Sequence, residues 1–267
     1  MNVKTSVDIL RLGKPAQLLG RLFRGLPSFI RPGITTKQIE QFCVRFLTRN
    51  NAEVVQQGYR GFPGAVCTSV NNVAAHGLPN DQPLESGDII TIDVSAGIQD
   101  WKGDGAWTYI VGSETQDQRR LLRAAWRASL AGVAMCRPGR KIGDIGFAIN
   151  QAAKQLGCSV IPEFSGHGIG RELHEPPSIP ATGQPGTGDE IVAGMVLNIE
   201  PVVTLGSGKV QLLGDGWSYV TSDGSLTAQY EHTVAVQQER NEILTVPKEL
   251  SQLPTDFPPY YLAGGPQ

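Results

Sequence analysis

The hydrophobic pattern at the start of the chain predicts two helices. Between Ser6 and Ile30, apolar residues recur every three or four positions, which is the period of an amphipathic helix. Pro15 falls inside this pattern and should kink the helix or split it in two, because proline cannot donate the helical hydrogen bond. Thr35 and Gln38 form a capping-box pattern, which predicts a second helix that ends near Asn50.

A change to two-residue periodicity then predicts a β-hairpin. Apolar and polar residues alternate from Ile90 to Ser95, and a second alternating run starts at Asp104. The segment between them, Gly97 to Gly103, has turn chemistry, so the hairpin should have a long loop. In such a hairpin, Asp93 and Asp104 would lie roughly opposite each other with both carboxylates on one face.

The order of elements repeats in the second half of the chain. Further helices are predicted from Gln116 to Met135 and from Ile142 to Leu156, and strand-rich segments follow. The tripeptide Arg-Pro-Gly ends the first long helix at residues 31–33 and recurs at 137–139. Chance could supply one such match, but the shared order of elements favours duplication of an α/β half. Two such halves would form a site at their interface, where pockets commonly occur.

Composition and charge exclude several classes of protein. With 267 residues and a formal net charge of −2, the chain can bury a large core and shows no basic footprint for nucleic acid. No signal-peptide core and no run of about 20 apolar residues is present. The four cysteines form no close pair, which is typical of reduced cytosolic residues: Cys43, Cys67, Cys136 and Cys158. We therefore expect a cytoplasmic protein that binds neither nucleic acid nor membrane.

Acidic and imidazole side chains near predicted strands are candidate metal ligands. Glu200 and Glu231 each end a short apolar run, where an unpaired carboxylate is costly. His167 lies between two glycines, which would leave it accessible as a ligand. Two aspartates alone would more often be solvated residues near a hairpin tip. Together with Asp93 and Asp104, however, these residues form an oxygen-rich set that suits a pair of Mn, Fe, Co or Zn ions.

Short motifs follow one another along most of the chain, from about Lys4 to Pro247. They are Cys67-Thr68-Ser69-Val70-Asn71, His76-Gly77-Leu78-Pro79, Gly87-Asp88-Ile89-Ile90, Ile92-Asp93-Val94, Gly103-Asp104, Gly166-His167-Gly168-Ile169-Gly170, His174-Glu175, Ile199-Glu200-Pro201, Asp215-Gly216-Trp217 and Ala228-Gln229-Tyr230-Glu231-His232-Thr233. Each motif is weak alone, but in this order and spacing the set resembles the type I methionine aminopeptidases.

The resemblance implies an α+β fold of the duplicated pita-bread type. This fold has a curved, mostly antiparallel sheet flanked by helices, and its two halves are related by a pseudo-twofold axis. The implied catalytic domain spans residues 1–247, with repeats of roughly 1–115 and 116–247. Residues 248–267 would form a C-terminal extension.

The resemblance also assigns roles to individual residues. Two divalent ions would be held by Asp93, Asp104, His167, Glu200 and Glu231, with Asp93 and Glu231 as the bridging or chelating ligands. Glu200 would also shuttle a proton to the leaving amine, and His76 and His174 would contact the peptide bond. The methionine pocket would be formed by Tyr59, Phe62, Cys67 and Trp217. From the residues alone, those four would be ordinary core positions, and His76 and His174 could be turn and loop residues.

The implied activity is removal of the N-terminal methionine from nascent proteins whose second residue is small, by attack of a metal-bridged water or hydroxide. Partners would be nascent chains, with the ribosome as a conceivable setting, and the protein would be a monomer. Two alternatives remain open: an X-Pro dipeptidase of the same fold, and a non-catalytic pita-bread protein that binds peptides or ribosomes. Three departures from the family pattern bear on rate and specificity: Gly105, Leu173 and Asn72.

Overall fold

The computed structural model describes residues 3–246 and 253–263. Its α-helices are α1 (Ser6–Gly25), α2 (Thr36–Arg49), α3 (Gln116–Met135) and α4 (Ile142–Lys154). Its strands are β1 (Glu53–Val54), β2 (Cys67–Val70), β3 (Val73–Ala75), β4 (Ile89–Ile98), β5 (Trp101–Val111), β6 (Ser159–Val160), β7 (Ser165–Gly168), β8 (Glu175–Pro180), β9 (Val196–Ile199), β10 (Val202–Thr204), β11 (Val210–Leu212), β12 (Tyr219–Thr221), β13 (Thr227–Gln229), β14 (His232–Val236), β15 (Asn241–Ile243) and β16 (Leu262–Ala263).

The strands form two five-stranded and two three-stranded sheets. The first large sheet has the order β1-β4-β5-β16 with β2 also paired to β4, and the second has the order β15-β14-β9-β7-β8. The smaller sheets are β13-β10-β6 and β11-β12-β3. Among the described strands, β16 pairs with β5 in parallel and all other pairs are antiparallel.

Helix α1 runs through Pro15 without a break, so the predicted split of this helix is wrong. The helix lies directly on β5: a Cβ added to Gly103 would come within 2.6 Å of the backbone nitrogen of Ala16. Its apolar face is fully buried at Leu12, Leu19 and Leu22. Burial of each such side chain contributes about 1.5–3 kcal/mol, which outweighs one missing backbone hydrogen bond.

The loop of the central hairpin has only two residues, which is the shortest length common in hairpins, so the prediction of a long loop is wrong. Strands β4 and β5 are joined by Gln99 and Asp100, whose φ angles of 50° and 68° are those of a tight two-residue turn. Gly97 and Gly103 lie inside the strands instead of in the turn. Close approach explains Gly103, whereas a Cβ on Gly97 would meet Glu53 Oε2 at 2.6 Å, the far end of a flexible side chain that can move away.

The hairpin register offsets the two aspartates by two residue pairs along the strands. Ser95 lies opposite Asp104, and Asp93 lies opposite Ala106. Asp93 and Asp104 are therefore diagonal neighbours, close to the roughly opposite positions that were predicted. They still share one face, because residues two apart on a strand point to the same side.

The backbone hydrogen bonds around the two Arg-Pro-Gly segments repeat in detail. In the first half, Gly33 N donates to Leu84 O (2.7 Å) and Leu84 N donates to Ile34 O (2.8 Å). In the second half, Gly139 N donates to Ile191 O (3.0 Å) and Ile191 N donates to Arg140 O (2.7 Å). Both glycines have positive φ, 86° and 82°, so each segment makes the same turn into the next helix.

The strands after these turns also begin alike. Gly87 and Gly194 have φ of 98° and 90°. Gly87 N donates to Val111 O (2.7 Å), and Gly194 N donates to Val236 O (2.8 Å). The β4–β5 pair and the β9–β14 pair are therefore corresponding parts of the two halves, which supports the predicted duplication.

Residues 253–263 pack against both halves of the chain. Trp126 Nε1 donates to Pro254 O (2.7 Å), and β16 extends the first sheet beside β5. The predicted boundary at residues 247 and 248 lies outside the described residues, so the division into domain and extension stays a prediction. Within the described ranges, no helix combines the length and the apolar character needed to span a membrane.

Candidate active site

The central hairpin presents Asp93 and Asp104 to the interface between the halves. Asp93 Oδ1 accepts a hydrogen bond from Gln56 Nε2 (2.9 Å). Asp104 Oδ1 accepts one from Ser95 Oγ (2.8 Å) and one from the Gly105 backbone N–H (3.1 Å). These bonds fix the orientation of one oxygen of each carboxylate, and neither Oδ2 is a hydrogen-bond acceptor among the described residues.

His167 lies on β7 with its ring held in one orientation. Its Nδ1 is 2.9 Å from Gly168 O, so the proton belongs on Nδ1 and the Nε2 lone pair is available. Nε2 lies 3.3 Å from Glu200 Oε1 and 3.7 Å from Asp104 Oδ2. The flanking glycines serve close strand packing, since a Cβ on Gly166 would lie 2.1 Å from Asn198 O. These glycines therefore allow the strands to pack closely, and they do not provide the accessibility predicted for the His167 ring.

Glu200 and Glu231 enter the site from the second half. Glu200 follows β9, and its Oε1 is buried without a hydrogen-bond partner among the described residues. Glu231 lies between β13 and β14 and is 2% exposed. Its backbone N–H donates to Ala106 O (2.9 Å), and its Oε1 accepts from Asn198 Nδ2 (2.9 Å). The first of these bonds joins Glu231 to the hairpin that carries the aspartates.

The charges of this cluster are not compensated by the protein itself. Burial, followed by repulsion from neighbouring carboxylates, raises the pKa of Asp93, Glu200 and Glu231 well above their ordinary values. Burial also raises the pKa of Asp104 and lowers that of His167. Within the described ranges, no Lys or Arg forms an ion pair with any of the four carboxylates.

A cation fits this donor set. One ligand atom each from Asp104, His167 and Glu231 lies within 4.8 Å of the others, and all three residues are buried. Asp93 and Glu200 line the same cavity outside this compact group. Oxygen ligands with one imidazole suit divalent first-row metals, and the unpartnered Glu200 Oε1 is an acceptor that such an ion would satisfy.

All residues predicted for the site line one cavity of about 420 Å³. They are Tyr59, Phe62, Cys67, His76, Asp93, Asp104, His167, His174, Glu200, Trp217 and Glu231. Phe62 and Trp217 meet edge to face with ring centroids 5.2 Å apart. Burial raises the pKa of the Cys67 thiol well above its ordinary value, with Asp93 adding to the effect, so Cys67 stays protonated.

His76 and His174, the other two histidines predicted for the site, lie near the cavity mouth. His76 has φ of 55°, an unusual backbone conformation for a residue other than glycine, and its ring contacts those of Phe164 and Tyr219. His174 Nδ1 lies 2.9 Å from the Tyr59 hydroxyl, and the two rings stack at 5.3 Å. The His174 ring is also 4.0 Å from that of His167. Both histidines line the same cavity as the carboxylates.

Several residues in the cavity or behind its wall were missed by the sequence analysis. Ser95 and Asn198 orient Asp104 and Glu231, and strand alternation with Asp93 and Glu200 was a signal that could have found them. Gln56, which orients Asp93, carries no such signal. The charged residues Arg60 and Glu163 also line the cavity and are exposed.

The three departures from the family pattern lie in different surroundings. Leu173 is buried and lines the cavity. Gly105 donates its N–H to Asp104, and a Cβ at this position would come within 3.0 Å of the Phe23 ring. Asn72 lines a separate cavity of about 610 Å³ and not the site.

Comparison with known proteins agrees with this geometry. The family model of metallopeptidase family M24 matches residues 11–238. A methionine aminopeptidase from Rickettsia prowazekii is 38% identical over 97% of this chain and 99% of its own length. The crystal structure of a methionine aminopeptidase from the same organism superposes with a TM-score of 0.91 at 37% identity, covering 92% of this chain and all of that one. This match confirms the predicted fold.

A prolidase from Pyrococcus furiosus shares the fold alone. Its structure superposes with a TM-score of 0.73 at 21% identity, covering 91% of this chain and 65% of the prolidase. Similarity to the aminopeptidases is therefore both closer and more complete than similarity to this dipeptidase.

Proposed function

The chain belongs to metallopeptidase family M24, and from that premise we propose that it removes the N-terminal methionine from polypeptides whose second residue is small. The observation that carries this proposal is the cavity in which five potential metal ligands adjoin an aromatic and sulfur-lined wall. Relatives named methionine aminopeptidases match nearly the whole chain, which supports the same activity.

We propose that two divalent cations are held by Asp93, Asp104, His167, Glu200 and Glu231. When bound, the ions would supply Lewis-acid polarisation of the scissile carbonyl. Gln56, Ser95 and Asn198 would keep three of the carboxylates oriented toward the ions through the bonds described above. Mn, Fe, Co and Zn all suit this donor set.

The side chains around the ions would bind and orient the substrate. Glu200 would also carry a proton to the leaving amine. His76 and His174 would donate hydrogen bonds to the peptide group in the transition state. Tyr59 holds His174 Nδ1, so Nε2 of that ring is the nitrogen free to do so. Phe62, Trp217 and Cys67 would pack against the methionine thioether, with Tyr59 beside them.

The proposed setting is the cytoplasm, where N-termini of nascent chains would be the substrates. All four cysteines are buried free thiols, which agrees with a reducing compartment. Action at the ribosome and a monomeric state remain part of this proposal.

The experiment is methionine release from Met-Ala-Ser by metal-stripped protein resupplied with Mn, Co, Fe or Zn. We expect metal-dependent release that Glu231→Ala abolishes and that Glu163→Ala, a change of an exposed carboxylate on the same cavity, leaves largely intact. Met-Lys-Ser should be cleaved much more slowly than Met-Ala-Ser, and equal cleavage would refute the requirement for a small second residue. An X-Pro dipeptide cleaved in preference would favour the dipeptidase, and no release with any metal would favour a binding protein.

A further inference from the structure

Arg60 stands apart from the other residues of the cavity because of its charge. The described residues that line the cavity include four carboxylates of the candidate metal centre, the exposed Glu163, and a single Lys or Arg, which is Arg60. Arg60 is exposed and forms no ion pair with a described residue. Its guanidinium is therefore available to a ligand.

The backbone holds Arg60 in a conformation that is unfavourable for arginine. Arg60 has φ of 50° and ψ of 21°, the left-handed region that glycine adopts more easily. It lies in the short turn Tyr59–Gly61, which is closed by a hydrogen bond from Phe62 N to Tyr59 O (2.9 Å). Strain of this kind persists where the surrounding structure fixes it, and it is concentrated at functional positions.

Tyr59 connects Arg60 to the catalytic groups. The Arg60 guanidinium lies over the Tyr59 ring at 5.4 Å, and that ring stacks on His174 at 5.3 Å. Arg60 therefore lies one aromatic ring away from His174, on the exposed side of the cavity.

The exposure of Arg60 limits the part of the substrate that it can reach. The second residue is expected to be small and enclosed. The third residue is the first whose side chain can extend to the cavity rim.

We propose that Arg60 is a specificity-determining residue that binds an acidic side chain at the third position of the substrate. This inference rests on the proposed function and adds to it a preference beyond the second residue. Arginine suits the role because its guanidinium offers paired donors to a carboxylate and cannot lose its charge.

The test uses the peptides Met-Ala-Glu, Met-Ala-Gln and Met-Ala-Lys, each extended by the same neutral residues, with the metal-loaded full-length protein. We expect kcat/KM to fall from Glu to Gln to Lys by about threefold to fivefold at each step, the size typical of an exposed ion pair. The order should weaken as salt rises, because exposed charges are screened.

Matched variants separate charge from structure. Arg60→Gln should remove the preference for the Glu peptide over the Gln peptide, Arg60→Lys should retain it in part, and Arg60→Glu should reverse it. Glu163→Gln should keep the order of the three peptides. Cleavage of the Gln peptide tests the proposed function by itself, so its absence is a failure of that function. Equal cleavage of all three peptides by the wild-type protein, or an unchanged preference in Arg60→Gln, would overturn the inference.

Discussion

Replacing Glu231 by glutamine should stabilise the metal-free protein and remove most of the stabilisation that divalent metal provides. Glu231 is 2% exposed, and burial raises its pKa well above the ordinary 4.5, with Asp104, Glu200 and Asp93 adding to the effect. Glutamine has nearly the same shape, and its side-chain oxygen can still accept the bond from Asn198. The substitution therefore removes a charge while preserving the packing.

The sign of the pH dependence follows from the direction of the pKa shift. A carboxyl whose pKa is higher in the folded state binds more protons there, so its ionisation penalises folding as pH rises above about 4.5. The penalty is absent below that pH and is complete above the folded-state pKa. An unsatisfied buried group costs about 1–3 kcal/mol or more when charged. For a chain of this size each kcal/mol corresponds to about 2–4 °C in Tm, so we expect an increase of about 2–12 °C.

The assay is thermal unfolding of wild-type and Glu231→Gln protein with a chelator, at pH 5 and pH 7.5, and again with Mn²⁺. The gain from the substitution should be larger at pH 7.5 than at pH 5, because wild-type Glu231 is more fully protonated at the lower pH. Glu163→Gln is the matched control: it removes an exposed carboxylate from the same cavity and should change Tm little. A Glu231→Gln protein that is less stable without metal, or that gains as much from Mn²⁺ as wild type, would refute the reasoning.

Two further predictions concern a catalytic side chain and the packing of the first helix. Tyr59→Phe keeps the stacked ring but removes the 2.9 Å hydrogen bond to His174 Nδ1. We therefore expect kcat to fall about threefold to tenfold with little change in KM. An unchanged kcat in steady-state kinetics would contradict this role of Tyr59. Gly103→Ala places a Cβ within 2.6 Å of Ala16 N and should cost at least about 1–3 kcal/mol in denaturant unfolding. Gly25→Ala, at the last residue of α1, is the control, because nothing lies within 4 Å of its added Cβ; equal loss in both variants would argue against the close contact.

Local rules predicted the helices well because their signals lie within a few residues. The capping box of Thr35 and Gln38 forms as expected, with Gln38 N donating to Thr35 Oγ1 and Thr35 N donating to Gln38 Oε1. Helix α3 begins and ends where the apolar spacing placed it. Pro15 was misjudged because its local penalty is offset by burial against β5, which depends on residues about ninety positions away in the chain.

The errors in the hairpin and around His167 have one physical origin. Glycine is required both where the backbone turns and where another chain segment approaches closely, and the sequence does not distinguish these cases. Gly103 and Gly166 both serve close approach to backbone atoms. The actual turn uses Gln99 and Asp100, which lack the strong signal of an Asn-Gly pair. Gln56 was missed because it acts through Asp93, which is 37 positions away in the sequence.

The duplicated architecture explains why the carboxylates meet only at the interface of the halves. Asp93 follows Gly87 by six positions, and Glu200 follows Gly194 by six, so each half presents an acid at a corresponding place. Backbone pairing between β5 and the segment before β14, including the bond from Glu231 N to Ala106 O, then brings the two sets together.

Repulsion between these buried acids opposes the association of the halves, and apolar packing beside them favours it. Trp107 of β5, Trp126 of α3 and Tyr230 of the second half meet edge to face with centroids 5.2–5.4 Å apart, and Trp126 and Tyr230 are fully buried. Burial of large side chains of this kind contributes about 1.5–3 kcal/mol each, comparable with the cost of an unpaired buried charge. The aromatic cluster can therefore hold the carboxylates together before a cation binds, so the donor set is organised in advance and little of the binding energy is lost in ordering it.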